Sequence, residues 1–180
     1  MRRIVKVDIP KSINKGWLIF QEDLFDKFEQ FFRYFFFSII VIIPCGVIFI
    51  GKFNNADKLF SSIFFPPIIL VGVYLIYRTA TEKKLIKLVT PYDKKITKQK
   101  LLDFAQKKEF EIYRNSNDYL IFNELTNNFS TLYKKSMILI IKDHLILFTI
   151  LQDNYKLNIP TLVSHLFLKH DLKKLFSEPY

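Results

Sequence analysis

"FFRYFFFSIIVIIPCGVIFIG", residues 31 to 51, is apolar almost throughout, with an arginine near its start and a proline-cysteine-glycine break near its middle. From Tyr34 to Gly51 the only polar side chains are Tyr34 and Ser38. That is about the length a helix needs to cross roughly 27–30 Å of hydrocarbon. A soluble helix of this length would carry a charged stripe at 3.6-residue spacing, and this one has none. The run therefore demands apolar surroundings on every side. A second run of the same kind, "LFSSIFFPPIILVGVYLIY" from Leu59 to Tyr77, follows after the short connection "KFNNADK". A chain of 180 residues has too little other material to bury both runs. The reading is a transmembrane hairpin over 34–77, with helices at 34–51 and 59–77.

The breaks in the runs are compatible with lipid. Pro44 and Pro66-Pro67 each remove backbone hydrogen bonds, which membrane helices tolerate as kinks. Gly46 and Gly72 permit close helix approach, although neither belongs to a GxxxG pair. Paired kinks can also mark a transport site, but transport wants ionisable groups inside the membrane, and between Tyr34 and Tyr77 the charges Lys52, Asp57 and Lys58 all lie in the connection. Orientation follows from the excess of lysine and arginine after the second run. The expected protein is integral to the inner, cytoplasmic membrane with both termini in the cytoplasm. The amino terminus has no apolar core or cleavage site of a secretory signal.

Charge is unevenly divided. Residues 1–33, the connection, and residues 78–180 carry about +2, +1 and +7 of the formal net charge of +10. Arg78, Lys83, Lys84, Lys87, Lys94 and Lys95 form a basic collar just after the second run and are the candidate contacts to lipid head groups. Each such side chain near an anionic surface contributes on the order of 1 kcal/mol. Nucleic acid is the weaker alternative, because tethering puts the collar at the bilayer. Before the hairpin, in residues 1–33, Trp17, Phe20, Leu24, Phe28, Phe31 and Phe32 recur at helical spacing against a mainly acidic second face. This predicts an amphipathic segment that lies at the interface or packs on the carboxy-terminal domain.

Residues 78–180 read as a cytoplasmic α+β domain. "ITKQKLLDFAQKKEF" predicts a one-sided helix over 97–108 with Thr97 as its N-cap. The turn-forming "NSND" then joins strands at 110–114 and 119–125. "KKSMILIIKDHLILFTILQD" could pass for a third span, but Lys142, Asp143 and His144 at its centre would cost several kcal/mol in hydrocarbon. Strands at 136–141 and 145–152 fit better. Both are apolar on both faces and so belong in the middle of a sheet covered on each side. An extended stretch to Pro160 and a terminal helix through Leu166, Leu168, Leu172, Leu175 and Phe176 complete an antiparallel sheet domain of approximate order α-β-β-β-β-α. The helix at 97–108 and the terminal helix can cover one face. The other needs the amino-terminal segment, a second copy or the bilayer.

No motif carries chemistry. Cys45 sits in the first apolar run with no thiolate-stabilising neighbour, and reads as a packing residue. His165 and His170 are five apart and poorly aligned for a shared metal, and His144 has no partner in sequence. Four glycines leave no phosphate-cradling loop. No catalytic residue, metal ligand or cofactor is expected. The expected function is that of a membrane-anchored, non-enzymatic protein whose cytoplasmic domain binds a protein partner, anionic lipid or another copy of itself. The rival is a membrane-bound hydrolase or transferase acting on a lipid-borne substrate, which would gather two or more of His144, His165, His170, Asp143 and Asp153 in a cleft.

Overall fold

Residues 134–153 form the longest-paired hairpin of the protein: β4 (Lys134–Lys142) and β5 (Leu145–Asp153) are antiparallel, with Lys142 opposite Leu145 and Lys134 opposite Asp153. Asp143 turns the chain with a left-handed φ of 49°, a conformation that aspartate tolerates better than most residues. In the computed structural model, which describes residues 7–50, 55–124, 134–153 and 161–177, this hairpin lies at the centre of a five-stranded antiparallel sheet. The strand order is β1-β5-β4-β3-β2, with β2 at Glu111–Asn115 and β3 at Tyr119–Glu124.

The fifth strand, β1 (Ile86–Val89), pairs with β5 at one edge. Sequence alone left it inside the basic collar, because only Ile86 and Leu88 of its four residues face the core while Lys87 and Val89 are exposed. β3 is buried on both faces, whereas β2, exposed along its whole length, is the second edge. A register shift between Ile112 and Arg114 marks a bulge there, a usual feature of edges that do not extend by pairing.

One face of the sheet presents Leu120, Phe122, Met137, Leu139, Ile141, Ile146, Phe148 and Ile150 to helices α4 (Lys94–Lys107) and α5 (Ser164–Ser177), which contribute Leu101, Phe104, Ala105, Leu168, Leu172 and Phe176. This is the cover expected for that face. The start of α4 is three residues earlier than the spacing predicts, because Asp93, not Thr97, is the N-cap and accepts from the Ile96 amide at 3.0 Å. Thr97 is instead fully buried inside the helix. The helix ends in a Schellman motif without glycine. Glu109 takes φ 56°, its amide donates to Gln106 O, the Phe110 amide donates to Ala105 O, and Phe110 packs edge-on to Phe104.

The opposite face, with Tyr119, Ile121, Ile138, Ile140, Leu147 and Leu151, is covered by the amino terminus. Of the expected amphipathic helix over 15–33, residues 24–33 are helical as the start of α2 (Leu24–Ile50), while the residues before them form a separate short helix and an extended run. Helix α1 (Ile9–Lys15) starts at the Asp8 cap and stops at Gly16, whose φ of 68° suits glycine. Residues 17–20 then run extended, with isolated bridges Val7 to Phe20 and Trp17 to Lys84. Ser12, fully buried, donates to Asp8 O at 2.6 Å and accepts from the Ile19 amide at 2.9 Å, pinning the extended segment to α1. Leu18, Phe20, Val7, Ile9 and Ile13 complete the second core. The Lys11 ammonium and amide hold the Asp8 carboxyl below its ordinary range. A lowered value means that this capping contribution is present near neutrality and is lost as pH falls through the carboxylate range.

The chain forms two compact units. The first joins Met1–Gln21 to Glu82–Tyr180 and holds the sheet with both its layers; the second is Glu22–Thr81. In the second, α2 (Leu24–Ile50) and α3 (Asn55–Thr81) each have 27 residues, about 40 Å of helix. Both are long and apolar enough to cross a membrane. Both continue through their prolines, Pro44 in α2 and Pro66-Pro67 in α3. The two helices approach closely at Gly72, where a β-carbon would stand 2.7 Å from a Val41 methyl. At Gly46 an added β-carbon would meet nothing within 4 Å, so only Gly72 has the packing role that sequence assigns to both glycines.

Candidate functional site

Three features of the sheet unit bear on function: the collar, two clefts, and the position of the histidines. Lys83, Lys84 and Lys87 follow one another along the segment that becomes β1. Lys83 lies over the Phe20 ring, 5.4 Å from its centroid. Lys84 is exposed and its backbone bridges to Trp17, itself 37 % exposed. Lys87 is exposed on the edge strand. Of the three, Lys84 is brought beside Trp17, a residue that sequence periodicity places on an amphipathic helix and that the structure places on the extended segment. Lys94 and Lys95 lie beyond the other end of β1, in the first turn of α4, where Lys94 pairs with Asp118 of the β2–β3 turn. Arg78 belongs to the last turn of α3, within the helical unit, where its Nη1 lies 3.4 Å from Thr81 Oγ1. The collar is continuous in sequence and divided in space.

The larger cleft, about 530 Å³, is lined by Val7, Asp8, Ile19, Phe20, Gln21, Arg114 and Tyr119. Its carboxylate is engaged by Lys11, and the Arg114 guanidinium lies 5.4 Å from the Tyr119 ring centroid. The smaller cleft, about 180 Å³, lies between the end of β3, the start of β4 and the first turns of α5. Phe110, Met137, Ile150, Phe167 and Leu168 give it an apolar wall, and Glu124 and Lys135, paired at 3.0 Å, close one side. Each cleft can hold a side chain or a short polar group. Ser164 also lines the smaller cleft.

Asp143, His144, His165 and His170, four of the residues that would mark the rival enzyme, line neither cleft. Asp143 and His144 form the β4–β5 turn, where the His144 Nδ1 lies 3.0 Å from the Tyr92 carbonyl. A carbonyl only accepts, so this nitrogen carries the proton. His165 and His170 are on α5, and Asp153 ends β5. Among the described residues, no three histidine, cysteine or acidic side chains are grouped to hold a metal ion. Buried polar groups on the second sheet face are tied into the fold. Ser136 donates to Asn123 Oδ1 at 2.8 Å, and Thr149 donates to the Glu82 carbonyl at 2.7 Å. These bonds hold β3 to β4, and the start of the carboxy-terminal segment to β5.

No family model, no curated protein and no solved structure matches the chain.

Proposed function

We propose that this is a membrane-anchored binding protein. The α2–α3 hairpin spans the bilayer, and the sheet unit is held at the inner leaflet with both termini in the cytoplasm. There it binds a protein partner, anionic lipid or another copy of itself. The observation that carries the reading is the poor burial of the two helices: 17 % and 11 % of their most apolar windows are buried within the chain. Phe35, Ile42, Ile43 and Phe49 on α2, and Phe64, Leu70, Val71 and Val73 on α3, are all exposed. A soluble protein seldom leaves an apolar surface of that extent in water. Core helices of similar composition are enclosed by their own chain.

The composition of the sheet unit supports a hairpin over a single span. Residues on both sides of the helices, up to Gln21 and from Glu82, build one core. They must therefore share one side of the membrane, as two crossings require. Trp17 beside exposed Lys84, with exposed Lys87 three residues further along the chain, has the aromatic and basic character of a membrane-water interface, and we assign the contact with anionic head groups to these residues. The reading is tested by extracting membranes of expressing cells with alkaline carbonate and with high salt. The chain should stay in the pellet under both conditions and be released only by detergent. Release by carbonate alone would reduce it to a peripheral protein.

A further inference from the structure

A second concentration of positive charge lies on the helices that cover the sheet. Apart from the collar residues Lys94 and Lys95, helices α4 and α5 together carry six lysines against two aspartates and no arginine. They cover the sheet face that carries Met137, Phe148 and Ile150. The chain leaves this unit from the other face: Phe20, next to Gln21, belongs to the second core, and the Glu82 carbonyl is bonded to Thr149. The basic layer is therefore separated by the sheet from both points at which the hairpin departs.

The exposed stripe of α5 changes character along its length. Leu162, Val163, Leu166 and Phe167 are exposed at its start, with Phe167 68 % accessible. His170, Lys173 and Lys174 continue the same face toward its end, at the three- and four-residue spacing that aligns side chains on a helix. The smaller cleft, with its apolar wall, opens beside Phe167. An apolar anchor position next to the ammonium groups of Lys173 and Lys174 is complementary to an acidic segment with large apolar residues at one end.

We propose that the outer face of α5 and the cleft beside it bind such a segment of a protein partner, which seats an apolar side chain against Phe167 and lays carboxylates along Lys173 and Lys174. This rests on the reading of the sheet unit as a binding module and names the chemistry of its partner. Nucleic acid suits the face less well, because four exposed aliphatic or aromatic side chains gain nothing from phosphates and the layer lacks the arginines that grip them in pairs.

The test uses the full chain in nanodiscs of neutral phosphatidylcholine. The probe is a labelled synthetic peptide with leucine and phenylalanine in its first half and glutamates in its second, followed by fluorescence anisotropy. It should bind, and Phe167→Ser should weaken it at least about tenfold. Lys173→Gln with Lys174→Gln should weaken it about three- to tenfold and flatten its salt dependence. A peptide with lysines in place of the glutamates should not bind. Phe167 is exposed, so its replacement leaves folding intact, and an unchanged thermal transition checks this. No binding of the acidic peptide, or affinity indifferent to Phe167→Ser, overturns the proposal. So does tighter binding of a single-stranded oligonucleotide, or a vesicle of anionic lipid that engages Phe167 in place of the peptide. Loss of the wild-type chain from carbonate-washed membranes would count against the anchor and leave this site standing.

Discussion

Residues 82–180 produced alone should aggregate, and the same residues joined through a short flexible linker to residues 1–21 should be a monodisperse monomer. The difference is the amino-terminal layer. Without it, Ile138, Ile140, Leu147 and Leu151, each at most 1 % exposed, face water together with Tyr119 and Ile121. Loss of Leu18 and Phe20 alone removes two large buried side chains, worth roughly 1.5–3 kcal/mol each. That is a large share of the ~5–15 kcal/mol by which a domain is stable. A short linker suffices because the Leu18 amide donates to the Lys83 carbonyl at 2.7 Å, which brings the two chain segments side by side. Light scattering with and without residues 1–21 reads the result. A monomeric, cooperatively melting 82–180 fragment would mean that the second sheet face does not depend on this layer.

Replacing Ile43 and Leu70 together with aspartate should abolish stable membrane integration. Both side chains are exposed, Ile43 at 60 % and Leu70 at 70 %, near the middle of the apolar runs 34–51 and 59–77. In lipid, each aspartate costs about 2.5–3.5 kcal/mol at the centre of a span, so the pair lowers insertion by several kcal/mol. In water the same exposed positions would accept aspartate with changes within about 0.5 kcal/mol. The two settings thus give opposite results for one variant, read as the fraction retained in carbonate-washed membranes. Retention equal to that of the unsubstituted chain would place these side chains outside the hydrocarbon.

The parts of the fold that were legible in sequence were those in which hydrophobic pattern acts over many residues. Continuous apolar runs gave the two long helices, and residues 136–152 gave two adjoining strands because Lys142-Asp143-His144 interrupts them at the length of a hairpin. Local signals fared less well. β1 has only Ile86 and Leu88 facing the core, too short an alternation to stand out among the lysines around it. The helix predicted over 15–33 failed at Gly16, whose positive φ ends α1 and frees Trp17 to Phe20 to run extended. Periodicity counted Trp17, Phe20 and Leu24 as one stripe. The structure assigns Phe20 to the sheet core and Leu24 to the start of α2.

The collar shows the same limit for function. Six basic residues close in sequence were divided because β1 carries the chain along the sheet before α4 begins, which takes Lys94 to Asp118 and away from Lys84 and Lys87. Conversely, the basic layer of α4 and α5 joins segments some seventy residues apart in the chain. No spacing rule connects Lys98 to Lys173; only the shared sheet face does.

The claim on which the proposed function stands is that two helices cross a membrane between segments that share one side. Single cysteines placed by Lys11→Cys, Asn55→Cys and Lys173→Cys, each in a Cys45→Ala background, test it with a membrane-impermeant maleimide applied to spheroplasts. The account predicts labelling of the Asn55→Cys variant in intact spheroplasts, and labelling of the Lys11→Cys and Lys173→Cys variants only after the membrane is permeabilised. Unequal labelling of Lys11→Cys and Lys173→Cys, or protection of Asn55→Cys together with them, would contradict it.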